Sequence, residues 1–240
     1  MKFALLGKSL IHSFSKTFFT DYFAEHNIDA TYDVVEIVDI KQFKYFLTED
    51  IKGFNVTIPY KQSIIPYLDA VSDEVKLIGA VNTVKLENGF WVGYNTDTFG
   101  FQQSIKQFLT NLHEKAIILG TGGASKAVAY VLKNIGISCV FISRTPSGSN
   151  QFPYDALNVH MLNACKLVVN CTPIGTFPCI DGCVPFPFEC LTKDHLVVDL
   201  IYNPQETKFL RLAKKSGATT LNGESMLKEQ ALKSWEIWTK

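Results

Sequence analysis

The sequence predicts an α/β protein of two domains, from three observations. Short β-branched or apolar runs alternate with amphipathic stretches along the chain, which argues for a mainly parallel sheet covered on both faces. One such run, residues 116–119, leads through Gly120-Thr121-Gly122-Gly123-Ala124 into a helix with alanine, valine and leucine at helical spacing. That is the strand–turn–helix order of a nucleotide-binding βαβ unit. The length, 240 residues, is comfortable for two small domains.

Taken in order, residues 3–6 read as a first strand. Residues 16–26 follow as a helix, with Phe18, Phe19, Tyr22 and Phe23 on one stripe. Residues 31–37 form a second strand. Residues 40–48 predict a helix packed through Phe43, Phe46 and Leu47, and 53–58 a strand that Pro59 stops. A helical turn at 63–67 precedes strands at 80–85 and 89–94, which flank the turn Glu87-Asn88-Gly89. Residues 98–112 read as a linking helix. The nucleotide-binding unit then begins near Lys115. Its second strand is 138–143, after Gly136 ends the helix, and residues 146–155 are rich in turn formers. That brevity predicts a trimmed nucleotide domain with fewer than six strands. Strands at 167–171, 196–201 and 218–221, a helix at 207–215 and a final amphipathic helix at 226–238 complete the chain.

Glycines between a strand and a helix let the backbone approach a pyrophosphate beside the free N–H groups of the helix N-terminus. About 20 residues further on, a cofactor with a free ribose 2′-hydroxyl meets an Asp or Glu. Here that place holds Ser143-Arg144-Thr145. A guanidinium and two hydroxyls suit a 2′-phosphate, so the expected cofactor is NADP(H).

Composition narrows the partners. Lys+Arg and Asp+Glu both number 23, which leaves no electrostatic footprint for nucleic acid or an anionic membrane. No apolar run approaches the roughly 20 residues of a membrane span. The N-terminal apolar run is too brief for a signal peptide, so a cytoplasmic location is expected. The six cysteines form no C-x-x-C pair and the five histidines no i,i+4 pair, so free thiols and no bound metal are expected.

Polar residues gather where strands of the first unit end. Ser13 and Ser15 follow the first strand. Asn55 and Thr57 share one face of the third by the period-2 rule, with Lys61 just past its end. Asn82 and the Asn95-Thr96-Asp97 run lie at later strands. Hydroxyls, carboxamides and one ammonium in such a crevice suit a small polyhydroxylated anion. Singly, each also fits a cap or a satisfied backbone group.

The segments GKSLIHSFSK, GFNVTIPYK, GAVNTV, GYNTDTFGF, LGTGGASKAV, SRT, NCTPIGT, DLIYNP and NGESMLKEQA occur in this order across nearly the whole chain. Together they resemble the shikimate dehydrogenase family. The resemblance implies a substrate-binding domain, residues 1–98 plus 224–240, and a Rossmann-like NADP-binding domain, residues 99–223, with the C-terminal helix returning to the first. It implies NADPH-dependent reduction of 3-dehydroshikimate to shikimate, on the way to chorismate and the aromatic amino acids, by a monomer or homodimer. Ser13, Ser15 and Thr57 would hold the substrate carboxylate, and Asn55 would be among the residues surrounding the substrate. Lys61, Asn82, Asp97 and Gln230 would reach the ring oxygens. Gly120, Gly122, Gly123 and Ala124 would meet the pyrophosphate, and Ser143, Arg144 and Thr145 the 2′-phosphate. Thr172, Ile201, Tyr202, Gly223 and Met226 would lie near the nicotinamide, with Tyr202 also reaching the substrate. The chain departs from the commoner family pattern at Lys8-Ser9, Ser143 and Cys171.

Catalysis is expected from Lys61 and Asp97. Hydride transfer to a ketone leaves negative charge on oxygen, which an ammonium stabilises and protonates. Asp97 would orient Lys61. Hydride transfer also requires the two domains to approach and part, with residues 172–175 and the Gly223 region as moving parts. Two other readings stand beside this one: a quinate or dual quinate/shikimate dehydrogenase, and a non-catalytic NADP-sensing protein.

Overall fold

The computed structural model describes residues 1–10, 14–47 and 50–240. It divides into two compact units, Met1–Phe99 with Gln230–Lys240, and Gly100–Glu229.

The first unit runs β1 (Lys2–Gly7), α1 (Phe14–Glu25), β2 (Thr31–Glu36), a 3₁₀ turn (Ile40–Gln42) leading into α2 (Phe43–Phe46), β3 (Ile51–Val56), β4 (Ala70–Val71), α3 (Asp73–Ile78), β5 (Thr83–Glu87) and β6 (Phe90–Tyr94). Its sheet has the order β2-β1-β3-β5-β6-β4. β1 is parallel to β2 and β3, β4 is parallel to β6, and β5 is antiparallel to both its neighbours. Alternation along β1 feeds two cores. Ala4 and Leu6 join Phe43, Phe54, Val56 and Val84, while Phe3 and Leu5 join Phe19, Phe23, Tyr32 and Trp238.

Local expectations change: β4 was not expected, and the strand expected at 80–85 runs Thr83–Glu87. The helix expected at 40–48 is a capped 3₁₀ turn and one α turn, because Asp39 and Gln42 close a capping box around residues 39–42. Its last residue, Thr48, lies outside the described residues. Helix α3 was not expected, although its signals are local. Ser72 accepts from the Val75 N–H, Asp73 and Glu74 fill the first turn, and Gly79 closes the helix at φ 71°.

Helix α4 (Asp97–Ile105) passes into the second unit after Phe99. There follow β7 (Lys115–Leu119), α5 (Gly123–Asn134), β8 (Ser138–Ile142), β9 (Gln151–Phe152), α6 (Val159–Ala164), β10 (Leu167–Asn170), β11 (Leu196–Asp199), α7 (Lys208–Lys215), β12 (Thr219–Leu221) and α8 (Glu224–Thr239). The sheet is parallel throughout, in the order β12-β11-β10-β7-β8-β9. It therefore has six strands, against the expectation of fewer. The trimming is in the β8–β9 connection, which is a loop over residues 143–150, and in β9 itself, two residues long. Ile117 and Leu119 face one core and Ala116 and Ile118 the other, so β7 is buried on both faces. Residues 224–229 of α8 cluster with this unit, where Met226 packs against Val198 and its neighbours. Within the described residues no helix is long and apolar enough to cross a membrane.

Candidate active site

In the first unit, β3 and the antiparallel β5–β6 pair bring three strand ends together. Thr83 of β5 pairs with Asn55 of β3 on one side and Tyr94 of β6 on the other. Asn82, one residue before β5, accepts from the Val56 N–H and donates its own to the Tyr94 carbonyl. Asp97 opens α4, where the helix dipole favours a carboxylate. Lys61 lies five residues past the end of β3, in the turn that follows it. Its Nζ meets Asp97 Oδ2 at 2.6 Å, with the carboxylate side chain only 3 % exposed and the lysine 16 %. The other carboxylate oxygen accepts from Asn82 Nδ2 at 2.9 Å, and Gln230 Oε1 accepts from the same amide at 3.2 Å. Lys61, Asn82, Asp97 and Gln230 therefore form one cluster.

The orientation of Asn82 is set from behind. Its Oδ1 accepts the Thr96 backbone N–H at 2.7 Å, which leaves Nδ2 facing Asp97 and Gln230. Asn55 is likewise committed inward. Its Nδ2 donates to the Asn82 carbonyl, Thr83 Oγ1 and Ser234 Oγ, and its Oδ1 accepts from the Tyr32 hydroxyl at 2.8 Å. Asn55 thereby ties β3 to β5, Tyr32 and the C-terminal helix. Ser15 hydrogen-bonds Tyr32, whose hydroxyl burial pushes far above the usual phenol range. Thr57, just beyond β3, donates its N–H to the Leu6 carbonyl, so its hydroxyl sits where β1 and β3 end. Ser13 lies outside the described residues.

Thr83, Ser234 and Tyr32 are parts of this cluster that sequence reasoning missed, and Thr96 was named there without a role. The NTD run held a signal for Thr96. Ser234 sits one helical turn after Gln230, so an i,i+4 reading of the last helix finds it.

The second unit places a helix start without a side-chain cap at a topological switch point. The chain leaves β7 for β8 on one side and β10 lies on the other. Gly120 holds φ +102°, and a Cβ there would stand 3.2 Å from the Thr172 methyl. Gly122 is the N-cap of α5 and no side chain caps that helix, while a Cβ at Gly122 would meet only open space. Backbone N–H groups of a twelve-residue helix thus open onto this turn, beginning at Gly123 and Ala124. At the end of β8, Arg144 and Thr145 are exposed. Ser143 is buried, and its Oγ accepts from the Thr145 N–H at 3.2 Å, so it shapes the turn.

Beneath the other side of the switch point lies a buried polar group. Asp199 accepts from Asn170, the Ile201 N–H and the Thr207 hydroxyl. Burial raises its carboxyl to about 6, against those hydrogen bonds, which lower it. Asn170 Oδ1 in turn accepts from the N–H and hydroxyl of Thr172. The Ile201-Tyr202 turn and the Thr172 loop are therefore held by one Asn–Asp pair. Gly223 donates its N–H to the Ile201 carbonyl, and a Cβ there would fall 2.0 Å from the Leu200 oxygen, so only glycine fits. Met226 is packed in the core.

The family model of the shikimate dehydrogenase substrate binding domain matches residues 5–84. A shikimate dehydrogenase (NADP(+)) from Methanosphaera stadtmanae is 34 % identical, over 98 % of this chain and 90 % of its own length. The solved shikimate 5-dehydrogenase from Thermus thermophilus, in complex with NADP(H) and shikimate, is 31 % identical with a TM-score of 0.88, covering all of this chain and 93 % of that one. A quinate dehydrogenase from Corynebacterium glutamicum in complex with NAD is similar at 28 % identity and a TM-score of 0.88, covering all of this chain and 93 % of that one. The chain belongs to the shikimate dehydrogenase family.

Proposed function

We propose that the protein is an NADP-dependent shikimate dehydrogenase, reducing 3-dehydroshikimate to shikimate with Lys61 and Asp97 at the reacting carbonyl. The observation that carries this is the buried Lys61–Asp97 contact at 2.6 Å, bound through Asn82 to Gln230. The cofactor, when bound, supplies the hydride. Lys61 donates a hydrogen bond to the ketone oxygen and gives that oxygen a proton as charge develops on it. The neutral amine left behind regains its proton from solvent. Asp97 keeps the ammonium aimed at that oxygen. Asn82 and Gln230 meet the ring alcohols, and Ser13, Ser15 and Thr57 the carboxylate. Asn55 supports them from behind. Tyr202 lies with Ile201 on the turn that Asp199 holds.

The groups available for the cofactor fit a phosphorylated dinucleotide. Gly120, Gly122, Gly123 and Ala124 offer an uncapped helix start to the pyrophosphate. Arg144 and Thr145 suit the 2′-phosphate, with Ser143 shaping their turn, and no Asp or Glu stands between Ser143 and Tyr154 to repel it. Thr172, Ile201 and Gly223 line the nicotinamide end, and Met226 lies near it in the core. Free thiols at all six cysteines suit a cytoplasmic location.

The test is a steady-state assay of NADP⁺ reduction with shikimate, repeated with quinate and with NAD⁺. Shikimate with NADP⁺ is expected to have the highest kcat/KM. A higher value for quinate with NAD⁺ reassigns the enzyme to the quinate branch, against which Arg144 argues. Lys61→Ala is expected to lower kcat by about 10²–10⁴ while shikimate still binds. Near-normal turnover in that variant rejects the role given to Lys61.

A further inference from the structure

Behind the Lys61–Asp97 cluster lies a chain of buried hydroxyls that hydride transfer does not use. Thr83, Thr96 and Ser234 are each fully buried. Ser234 Oγ donates to the Gln230 carbonyl at 2.9 Å. A serine has one hydroxyl proton, so toward every other partner this oxygen accepts. Its two lone pairs are shared among three of them, Asn55 Nδ2 at 2.9 Å, Thr83 Oγ1 at 2.8 Å and Thr96 Oγ1 at 3.2 Å. The chain therefore has a direction. Asn82 Nδ2 donates to Thr96 Oγ1 at 3.0 Å, the Thr96 hydroxyl donates to Ser234, and Ser234 donates to a backbone carbonyl that only accepts.

We infer that Ser234 is a positioning residue for recognition of the substrate's ring alcohols, a role that rests on the shikimate dehydrogenase reading of this site. Removing its hydroxyl breaks the chain at the end that gives it direction. The Thr96 hydroxyl then turns toward Asn82 Oδ1, which it already approaches at 3.3 Å, and competes there with the Thr96 backbone N–H that sets the orientation of the amide. The two residues disturbed are Asn82 and Gln230, those assigned to the ring oxygens. The Lys61–Asp97 ion pair does not depend on Ser234 for its contact. The effect thus falls on substrate binding more than on the chemical step.

Ser234 is also placed for this by its helix. Gln230, Ser234 and Trp238 are spaced i, i+4, i+8 on one face of α8. Trp238 anchors that face by donating Nε1 to the Val84 carbonyl at 2.9 Å. The helix register that seats the indole also sets the hydroxyl and the Gln230 amide.

The test measures kcat and both KM values for wild type, Ser234→Ala, Ser234→Thr and Thr96→Val, in the shikimate and NADP⁺ assay. Ser234→Ala is expected to raise the shikimate KM about ten-fold, with kcat within about three-fold and the NADP⁺ KM within about two-fold. Ser234→Thr, which keeps the hydroxyl, restores most of the shikimate KM. Thr96→Val breaks the same chain one link earlier and reproduces the pattern, and it carries the test if Ser234→Ala does not fold. A shikimate KM in Ser234→Ala and Thr96→Val within two-fold of an active wild type overturns the inference alone. The same holds if both KM values rise together. A wild type without shikimate-dependent NADP⁺ reduction overturns the reading beneath it.

Discussion

Arg144 and Asn55 show how much a single residue's surroundings decide. Arg144 is exposed at the end of β8, with Tyr154 close enough for the guanidinium to lower the phenol that burial raises. An exposed guanidinium with no acid beside it in sequence is suited to a phosphate dianion, which it binds by two charge-assisted hydrogen bonds. Arg144→Ala is expected to raise the NADP⁺ KM by about 10–100-fold and leave the NAD⁺ KM nearly unchanged. An unaltered ratio of the two KM values removes Arg144 from cofactor choice. Asn55 is the opposite case. Its amide belongs to the right chemical class for a ligand, yet its hydrogen-bonding capacity is directed into the protein.

At the scale of elements, α7 joins helix stability to the shape of the cofactor end. Thr207 caps the helix by accepting from the Leu210 N–H, and its hydroxyl donates to Asp199 at 2.7 Å. One side chain thus serves a helix start and a buried carboxylate. Thr207→Ala is expected to cost about 2 kcal/mol from the lost cap and the orphaned acceptor. Thr207→Ser is expected to recover most of it, because it keeps the hydroxyl. Urea unfolding of the two variants checks this, and equal losses in both would show that the methyl group's packing, not the hydrogen bonds, matters. Helix α8 follows the same logic in the first unit. A Cβ on Gly53 would lie 2.3 Å from Trp238 Nε1, so the strand gives up a side chain where the helix anchors.

For the molecule as a whole, acid acts through two buried histidines of the second unit. His113 and His195 each accept a threonine N–H at Nδ1, from Thr110 and Thr192. Each lies below its usual pKa, first through burial, and His113 also through the neighbouring His195. The folded pKa is lower than the unfolded one, so the unfolded chain takes up protons that the native state refuses. Their stabilisation is full above the usual histidine value of about 6.5 and is lost as pH falls through it. Asp199 works in the other sense. Its pKa is raised to about 6, so its contribution is present at lower pH and lost as pH rises through that value. Comparing wild type with His113→Gln isolates the histidine. The wild-type Tm minus that of the variant is expected to shrink as pH is lowered from about 8 to 5. A difference that stays constant with pH rejects the assignment.

Much of the fold was legible because its signals are local. Apolar runs, the glycine turn before α5 and the Thr207 cap each act within a few residues, and hydrophobic periodicity reports which face of an element is buried. Even α3, which was missed, carried its cap and its closing glycine in plain sequence. Where β9 lies was not legible, since a two-residue edge strand has no periodicity and is defined only by pairing with β8. The site divides in the same way. The residue types around Lys61 and Asp97 pointed to a polyhydroxylated anion, and the ordered motifs pointed to the family. That Ser234 meets Asn55, 179 positions away, and that Gln230 meets Asn82, 148 positions away, was settled only when α8 docked on the first sheet. Hydrogen bonds reach about 3 Å whatever the separation along the chain, so partners from distant segments become visible only in the folded molecule.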